Sequence, residues 1–219
     1  MKQNTIFIVA VVALLLVFVA GALVYKSDRG KSEQSAQVAE RNRSYLARMH
    51  SPTLGKADAK VQLVEFFDPA CGTCREFYPL VKRILADNPD QILLVLRYAP
   101  FHDGSEAVVA ALEATRKQDK FWPALEALLA SQEQWAPHHK PQVSLIWKPL
   151  EGIGLNLDQV RADMGSADIA RVIRQDLDDA KSLNVTMTPE FFVNGKPLPS
   201  FGYEQLKALV GEALRSARG

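Results

Sequence analysis

Cys71-Gly72-Thr73-Cys74 brings together the only two cysteines of the chain. The thiolate, not the thiol, attacks a disulfide, and an ordinary cysteine with a pKa of ~8.5 is mostly protonated at neutral pH. A sulfur at a helix N-terminus gains unpaired N–H groups and the positive end of the helix dipole, and both stabilise the anion. Cys71 holds that position in the helix the following residues predict, with Cys74 one turn further in. The pattern therefore predicts a redox pair in which Cys71 is the exposed nucleophile and Cys74 the more buried resolving thiol. Gly72 is expected to let a partner's backbone come close, and Thr73 to offer a hydroxyl to the sulfur. A disulfide at this spacing closes too small a loop to restrain the unfolded chain, so stapling explains the pair poorly. A disulfide-built extracellular domain would also carry several cysteines spread along the sequence. Half of a zinc site is disfavoured, since there is no second cysteine pair and His138-His139 has no convincing ligand spacing. Two thiolates suit the soft ion Cu(I), so a metallochaperone stands as the alternative from another class.

The elements needed to position this pair are legible around it. Val61 to Phe67 (VQLVEFF) is short, β-branched and aromatic, and predicts a largely buried strand. Asp68-Pro69 breaks regularity before the cysteines. Cys71 to Asp87 carries apolar residues at Phe77, Tyr78, Val81, Ile84 and Leu85, a helical spacing. Gln91 to Tyr98 (QILLVLRY) predicts a second strand, so strand, helix and strand imply a right-handed βαβ unit with parallel strands. From Gly104 to about Leu183 the pattern is mostly helical. One stripe runs through Val108, Leu112 and Thr115, another through Phe121, Leu125 and Leu128, and a third helix covers Asp168 to Leu183. Val185 to Leu198 returns to strand character around Asn194-Gly195, a strong hairpin signal. Tyr203 to Ala217 closes as an amphipathic helix. The domain is expected over 51–219, an α/β fold with a helical insertion at about 104–183.

Ahead of it, Ile6 to Tyr25 is twenty residues without a charge. As a helix it would span about 30 Å, the thickness of a bilayer's hydrocarbon core. A cleavable signal has a shorter apolar run of about 7–15 residues, so an uncleaved transmembrane anchor is favoured, although Ala20-Gly21-Ala22 offers a cleavage site. The expected layout is a cytoplasmic stub at 1–5, the anchor at 6–25, and a polar linker at 26–50 with a short helical lead-in from Tyr45. The positive-inside tendency alone would hold the bulk of the chain in the cytoplasm. The thiol chemistry favours export instead, a single-pass protein of the inner membrane with its domain in the periplasm or outside the cell. A net charge of +1, with acids and bases interleaved, argues against a nucleic-acid binder.

Strand, Cys-x-x-Cys at a helix start, insertion, then Thr188-Pro189 before a hairpin resembles the thioredoxin superfamily. The helical insertion makes the chain similar to its DsbA-type branch of exported disulfide oxidoreductases, over roughly residues 50 to 217. The resemblance implies a thioredoxin-like fold and thiol:disulfide oxidoreductase activity without a cofactor. It assigns Glu65, six residues before Cys71, to the buried acid kept under the active site. The apolar neighbours of Glu65 independently predict burial, which would raise its pKa and suit it to relay the proton of Cys74. It assigns Thr188-Pro189 to the cis-proline loop that packs beside the disulfide and pairs with substrate, and Pro79 to a helix bend. Strong oxidants of the family carry Pro-His between the cysteines, where this chain has Gly72-Thr73. Thr188 is closer to the isomerase-like and reductase-like relatives, so a reductase or isomerase is the runner-up. The implied partners are protein substrates with thiols or disulfides and a membrane redox partner, either DsbB-like or an electron donor, serving a monomer. His102, Trp122, Trp135, His138, His139 and Trp147 are read as packing and covering residues rather than a site.

Overall fold

The computed structural model describes residues 2–218, with the side chains of 2–13, 17, 24, 27–29, 31, 32 and 35 outside the description. The first element is the helix α1 (Lys2–Leu46). The chain divides into two compact units, the first ending at Arg41 and the second beginning at Asn42. The expected stub 1–5 and much of the expected anchor 6–25 lie outside the residues described to side-chain level. Among the described residues no helix is long and apolar enough to cross a membrane. Leu14, Leu15, Leu16, Phe18, Val19, Leu23 and Tyr25 of this unit are exposed.

The second unit contains β1 (Thr53–Gly55), β2 (Val61–Phe67), α2 (Gly72–Asp87) and β3 (Ile92–Tyr98). A helical stretch follows: α3 (Ser105–Arg116), α4 (Phe121–Ala130), α5 (Gln132–Trp135), α6 (Trp147–Leu150), α7 (Leu157–Asp163) and α8 (Ala167–Ser182). The hairpin β4 (Glu190–Val193) and β5 (Lys196–Pro197) and the helix α9 (Tyr203–Ser216) complete it. The sheet order is β1-β3-β2-β4-β5. Only β2 and β3 run parallel, in register from Val61 opposite Ile92 to Phe67 opposite Tyr98. That pair with α2 between is the expected βαβ unit.

Strand parity does the positioning. Val61, Leu63, Glu65 and Phe67 share one face of β2, because alternate side chains point the same way. Val61 and Leu63 pack with Phe77, Val81 and Ile84 of α2 and with Leu206 and Val210 of α9. Val64 and Phe66 face the other way, toward Val95, Phe192 and Leu46. The insertion builds its own core from α3, α4 and Trp135, continuous with Phe67, Cys71 and Cys74. The helical stripes expected for Val108, Leu112, Thr115, Phe121, Leu125 and Leu128 are all buried. Asn194 and Gly195 have φ of 47° and 85°, the left-handed pair that a tight two-residue hairpin turn requires.

Two boundaries differ from expectation. Residues 26–46, expected as linker, are helical, and Asn42 to His50 belong to the domain. Leu46 is 1% exposed in the core, and the Asn42 amide donates to Gly195 O at 3.3 Å. Arg48 forms a two-pronged ion pair with Asp179 at 2.8 and 2.6 Å. Asp179 and Asp176 in turn hold the fully buried Arg97, whose guanidinium also donates to Tyr45 O. Polar composition hid this docking, because the residues that hold it are ions whose partners lie far away in sequence. The second difference is at Ser51 to Gly55, whose Ser, Pro and Gly read as turn residues ahead of the domain. Its last three residues form the edge strand β1 against β3, too short to show a period of two.

Candidate active site

The turn after β2 is ordered by Asp68, a fully buried carboxylate. Its Oδ1 accepts the Ala70 N–H at 2.8 Å and the Ser105 hydroxyl, while Oδ2 accepts the His102 N–H at 3.0 Å. An Asp that caps the backbone two residues on fixes a turn before a helix. Cys71 is then the N-cap residue of α2, with φ −75° and ψ 119°, and its carbonyl starts the helix by accepting from Arg75 N. Cys74, one turn inside, is fully buried, and Cys71, expected as the exposed thiol, is itself only 6% exposed, because the Thr188 loop and the insertion pack beside it. Both cysteines are free thiols in this structure.

The two sulfurs sit in different electrostatic settings. A hydrogen bond from the Cys74 thiol lowers the Cys71 pKa most, partly opposed by burial. The Thr188 side chain and the backbone N–H groups of Cys74 and Thr73 also lower it, bringing the pKa to about 5. Cys74 is pushed well above the ordinary thiol value, first by burial, then by its bond to Cys71 and the charges of Glu65 and Cys71. Thus Cys71 is a thiolate at neutral pH and Cys74 a thiol, which is the asymmetry a nucleophile and a resolving group need. Thr73 serves through its main chain, where a hydroxyl had been expected.

Glu65 lies on the α2 face of β2, is fully buried, and both carboxylate oxygens lack a hydrogen-bond partner among the described residues. Burial raises its pKa to about 8, helped by the negative charge of Cys71. At pH 7 it is therefore a neutral acid in an apolar interior, able to hold or release one proton.

Thr188 and Pro189 stand on the other side of the pair. The Thr188–Pro189 peptide bond is cis, and the Cys71 thiol reaches Thr188 O at 3.2 Å. Residues separated by more than a hundred positions, Glu65, Cys71, Cys74, Thr188 and Pro189, thus converge at one end of the sheet.

Other residues reach the site that sequence reasoning set aside or overlooked. Gln132 on α5 is buried, and its Nε2 donates to Pro69 O at 2.7 Å and to Cys71 O at 3.0 Å. His102 pairs with Asp68 through Nδ1 at 2.7 Å. His139 lies over Gly72, where the sequence suggested open access for a partner. A single histidine or glutamine 61 to 67 residues away carries no local signal; only the way the insertion folds back brings it here. The packing role expected for Trp135 agrees with its complete burial, and Trp147 carries Arg161 over its ring at 4.4 Å. A cleft of about 310 Å³ lies over the two residues between the cysteines, lined by Gly72, Thr73, Arg75, Gln132, Glu133 and His139 among others. Phe101 and Met187 are exposed beside His102 and Thr188 in the chain, and exposed Phe201 lies against Phe77 of α2 with centroids 4.9 Å apart and planes tilted by 40°.

A family model described as thioredoxin matches residues 48–212. The probable disulfide bond formation protein D of Bacillus cereus is 26% identical over 226 residues, covering 98% of this chain and 100% of that protein. A Na(+)/H(+) antiporter, NhaA 3 of Salinispora tropica, is 32% identical over 168 residues, 75% of this chain. The chain spans about a quarter (25%) of that antiporter's length. Among solved structures, a thioredoxin-like oxidoreductase from Silicibacter pomeroyi superposes with a TM-score of 0.69 at 28% identity, covering 79% of this chain and 98% of that one.

Proposed function

The chain belongs to the thioredoxin family, and on that ground we propose that it is a DsbA-like thiol:disulfide oxidoreductase acting on proteins through Cys71 and Cys74. The observation that carries this is the opposed titration of two neighbouring sulfurs, one low at about 5 and one well above the ordinary value.

The reaction follows from that asymmetry. A substrate thiolate attacks Sγ of Cys71 in the oxidised pair, forming a mixed disulfide and breaking the Cys71–Cys74 bond. Cys74 leaves, and because its thiolate is unfavourable in the buried site it takes a proton, which Glu65 can supply. A second substrate thiolate attacks its own partner sulfur in the mixed disulfide and releases Cys71 as a thiolate. The substrate loses two electrons, and the pair gains them as a dithiol. The stabilised Cys71 thiolate favours this reduced form and so makes the disulfide an oxidant. That supports the oxidase direction over a reductase or isomerase. Thr188 and Pro189 offer main-chain pairing to an extended substrate, and Phe101, Met187 and Phe201 give it apolar contact.

Reoxidation is assigned to a DsbB-like membrane partner, and the domain to the exported side of the membrane, working as a monomer. Segment 6–25 is the tether in this reading, supported by its uncharged composition and its row of exposed apolar side chains from Leu14 to Tyr25. Tethering raises the effective concentration of a membrane partner.

Equilibration with a glutathione series is the test. The pair should be more oxidising than thioredoxin, whose potential lies near about −270 mV, and Cys74→Ser should accumulate mixed disulfides that Cys71→Ser does not. A potential at the thioredoxin value would reverse the direction. Trapping by Cys71→Ser instead would exchange the roles of the two cysteines.

A further inference from the structure

A side chain at Gly72 would have to displace the ring of His139. A Cβ placed there would lie 2.9 Å from Cε1 of His139, a ring delivered from the short 3₁₀ turn Pro137–His139 of the insertion. Nδ1 of that ring is 3.2 Å from Gly72 N and 3.1 Å from Ala70 O. These are the backbone groups on either side of Cys71. With a bare Nδ1 the ring accepts the Gly72 N–H; with Nδ1 protonated it donates to Ala70 O. One nitrogen therefore holds the backbone next to the nucleophile in either tautomer.

The ring is braced from behind. It stacks on His102 with centroids 5.2 Å apart and planes at 24°. His102 is fixed by buried Asp68, whose other oxygen caps Ala70 N. The same loop is thus tied by Asp68 from inside and by His139 from outside. His138 and His139 have φ of 51° and 59°, a left-handed conformation that costs energy in non-glycine residues and persists where surroundings enforce it.

The geometry assigns His139 as a positioning residue of the exchange reaction: it clamps the Ala70–Gly72 backbone so that the Thr73 and Cys74 N–H groups stay aimed at the Cys71 sulfur, and Gly72 is glycine to admit its ring. This rests on the thiol–disulfide reading above. Aligned N–H groups stabilise the thiolate and hence the dithiol form. Loosening the clamp disfavours the reduced pair and makes the disulfide a weaker oxidant.

The test compares the full chain with His139→Ala, His139→Asn, Gly72→Ala and the Gly72→Ala/His139→Ala double variant. His139 is exposed, so its replacement leaves the core intact. In His139→Ala the equilibrium constant for reduction by glutathione falls about three- to tenfold, tenfold being about 30 mV for a two-electron couple. The thiolate midpoint of Cys71, read by ultraviolet absorbance, rises in parallel. His139→Asn, whose amide can accept from Gly72 or donate to Ala70, keeps the parental values. Gly72→Ala displaces the ring and matches His139→Ala, and the double variant is no worse than either single, because both remove one interaction. The assignment is overturned if His139→Ala stays within twofold of the parent at an unchanged midpoint, or if the two single effects multiply. A parental chain that does not equilibrate with glutathione at all instead overturns the exchange reading itself.

Discussion

At the scale of residues, a carboxyl with no hydrogen-bond partner among the described residues lies beneath a sulfur that is itself an anion, and the two titrations oppose each other. Glu65 has a folded value of about 8 against 4.5 unfolded. A raised acid contributes its full share below the unfolded value, and that share is lost as pH rises through the folded one. Cys71, at about 5 against 9.0, behaves in the opposite sense: its contribution is complete above pH 9 and is lost as pH falls toward 5. Oxidised protein has no Cys71 thiolate, so burial alone raises Glu65 there, and stability should decline as pH rises above the ordinary carboxylate range, by up to ~1.4 kcal/mol per pH unit. Glu65→Gln should abolish that slope, measured by urea unfolding across the range. The reduced protein should gain on the oxidised form by a similar amount per unit between pH 5 and 9. A slope that survives in Glu65→Gln would assign it to another group. The burial of Glu65 was legible from Leu63, Val64, Phe66 and Phe67 around it, but its lack of a partner was not. Hydrogen-bond satisfaction depends on what packs over a residue, and here that is α2.

Among the elements, the one whose sequence misled most is Asn42 to His50. Read as polar linker, it docks through one leucine and a set of ions, Leu46 in the core and Arg48 and His50 on Asp179 and Asp176. These acids also neutralise Arg97, which has no exposure at all. Removing part of a buried ion network leaves charge uncompensated, which costs about 3–5 kcal/mol, and emptying the Leu46 site costs about 2–4 kcal/mol. A fragment of residues 42–219 should therefore unfold at the temperature of the full domain. A fragment of residues 51–219 should be markedly less stable or unfolded, as followed by circular dichroism. Equal melting of the two fragments would show that this segment merely lies against the surface. By contrast, β2, α2, β3 and α9 were legible nearly to the residue. Their apolar periods are long enough to distinguish strand from helix, whereas three-residue β1 and four-residue α5 are not.

For the whole molecule, the question is where the domain works. If 6–25 is a tether, the full chain should sediment with membranes and resist extraction by high salt, while residues 42–219 should not. Both should show the same glutathione equilibrium, since the pair and every group that tunes it lie between Glu65 and Pro189. A full chain released by salt alone would remove the tether and leave the chemistry untouched.

The sequence by itself determined the spacing of the cysteine pair, the βαβ unit that carries it and the helical insertion, because each depends on local spacing or periodicity; the Thr188-Pro189 loop came from the family resemblance. Only the tertiary structure decided what surrounds the pair. His139 occupying the space over Gly72, Gln132 holding the Cys71 carbonyl, and Asp68 joining Ala70 to His102 are contacts between distant segments. They are set by how the insertion folds back on the sheet, a property that no single stretch of residues encodes.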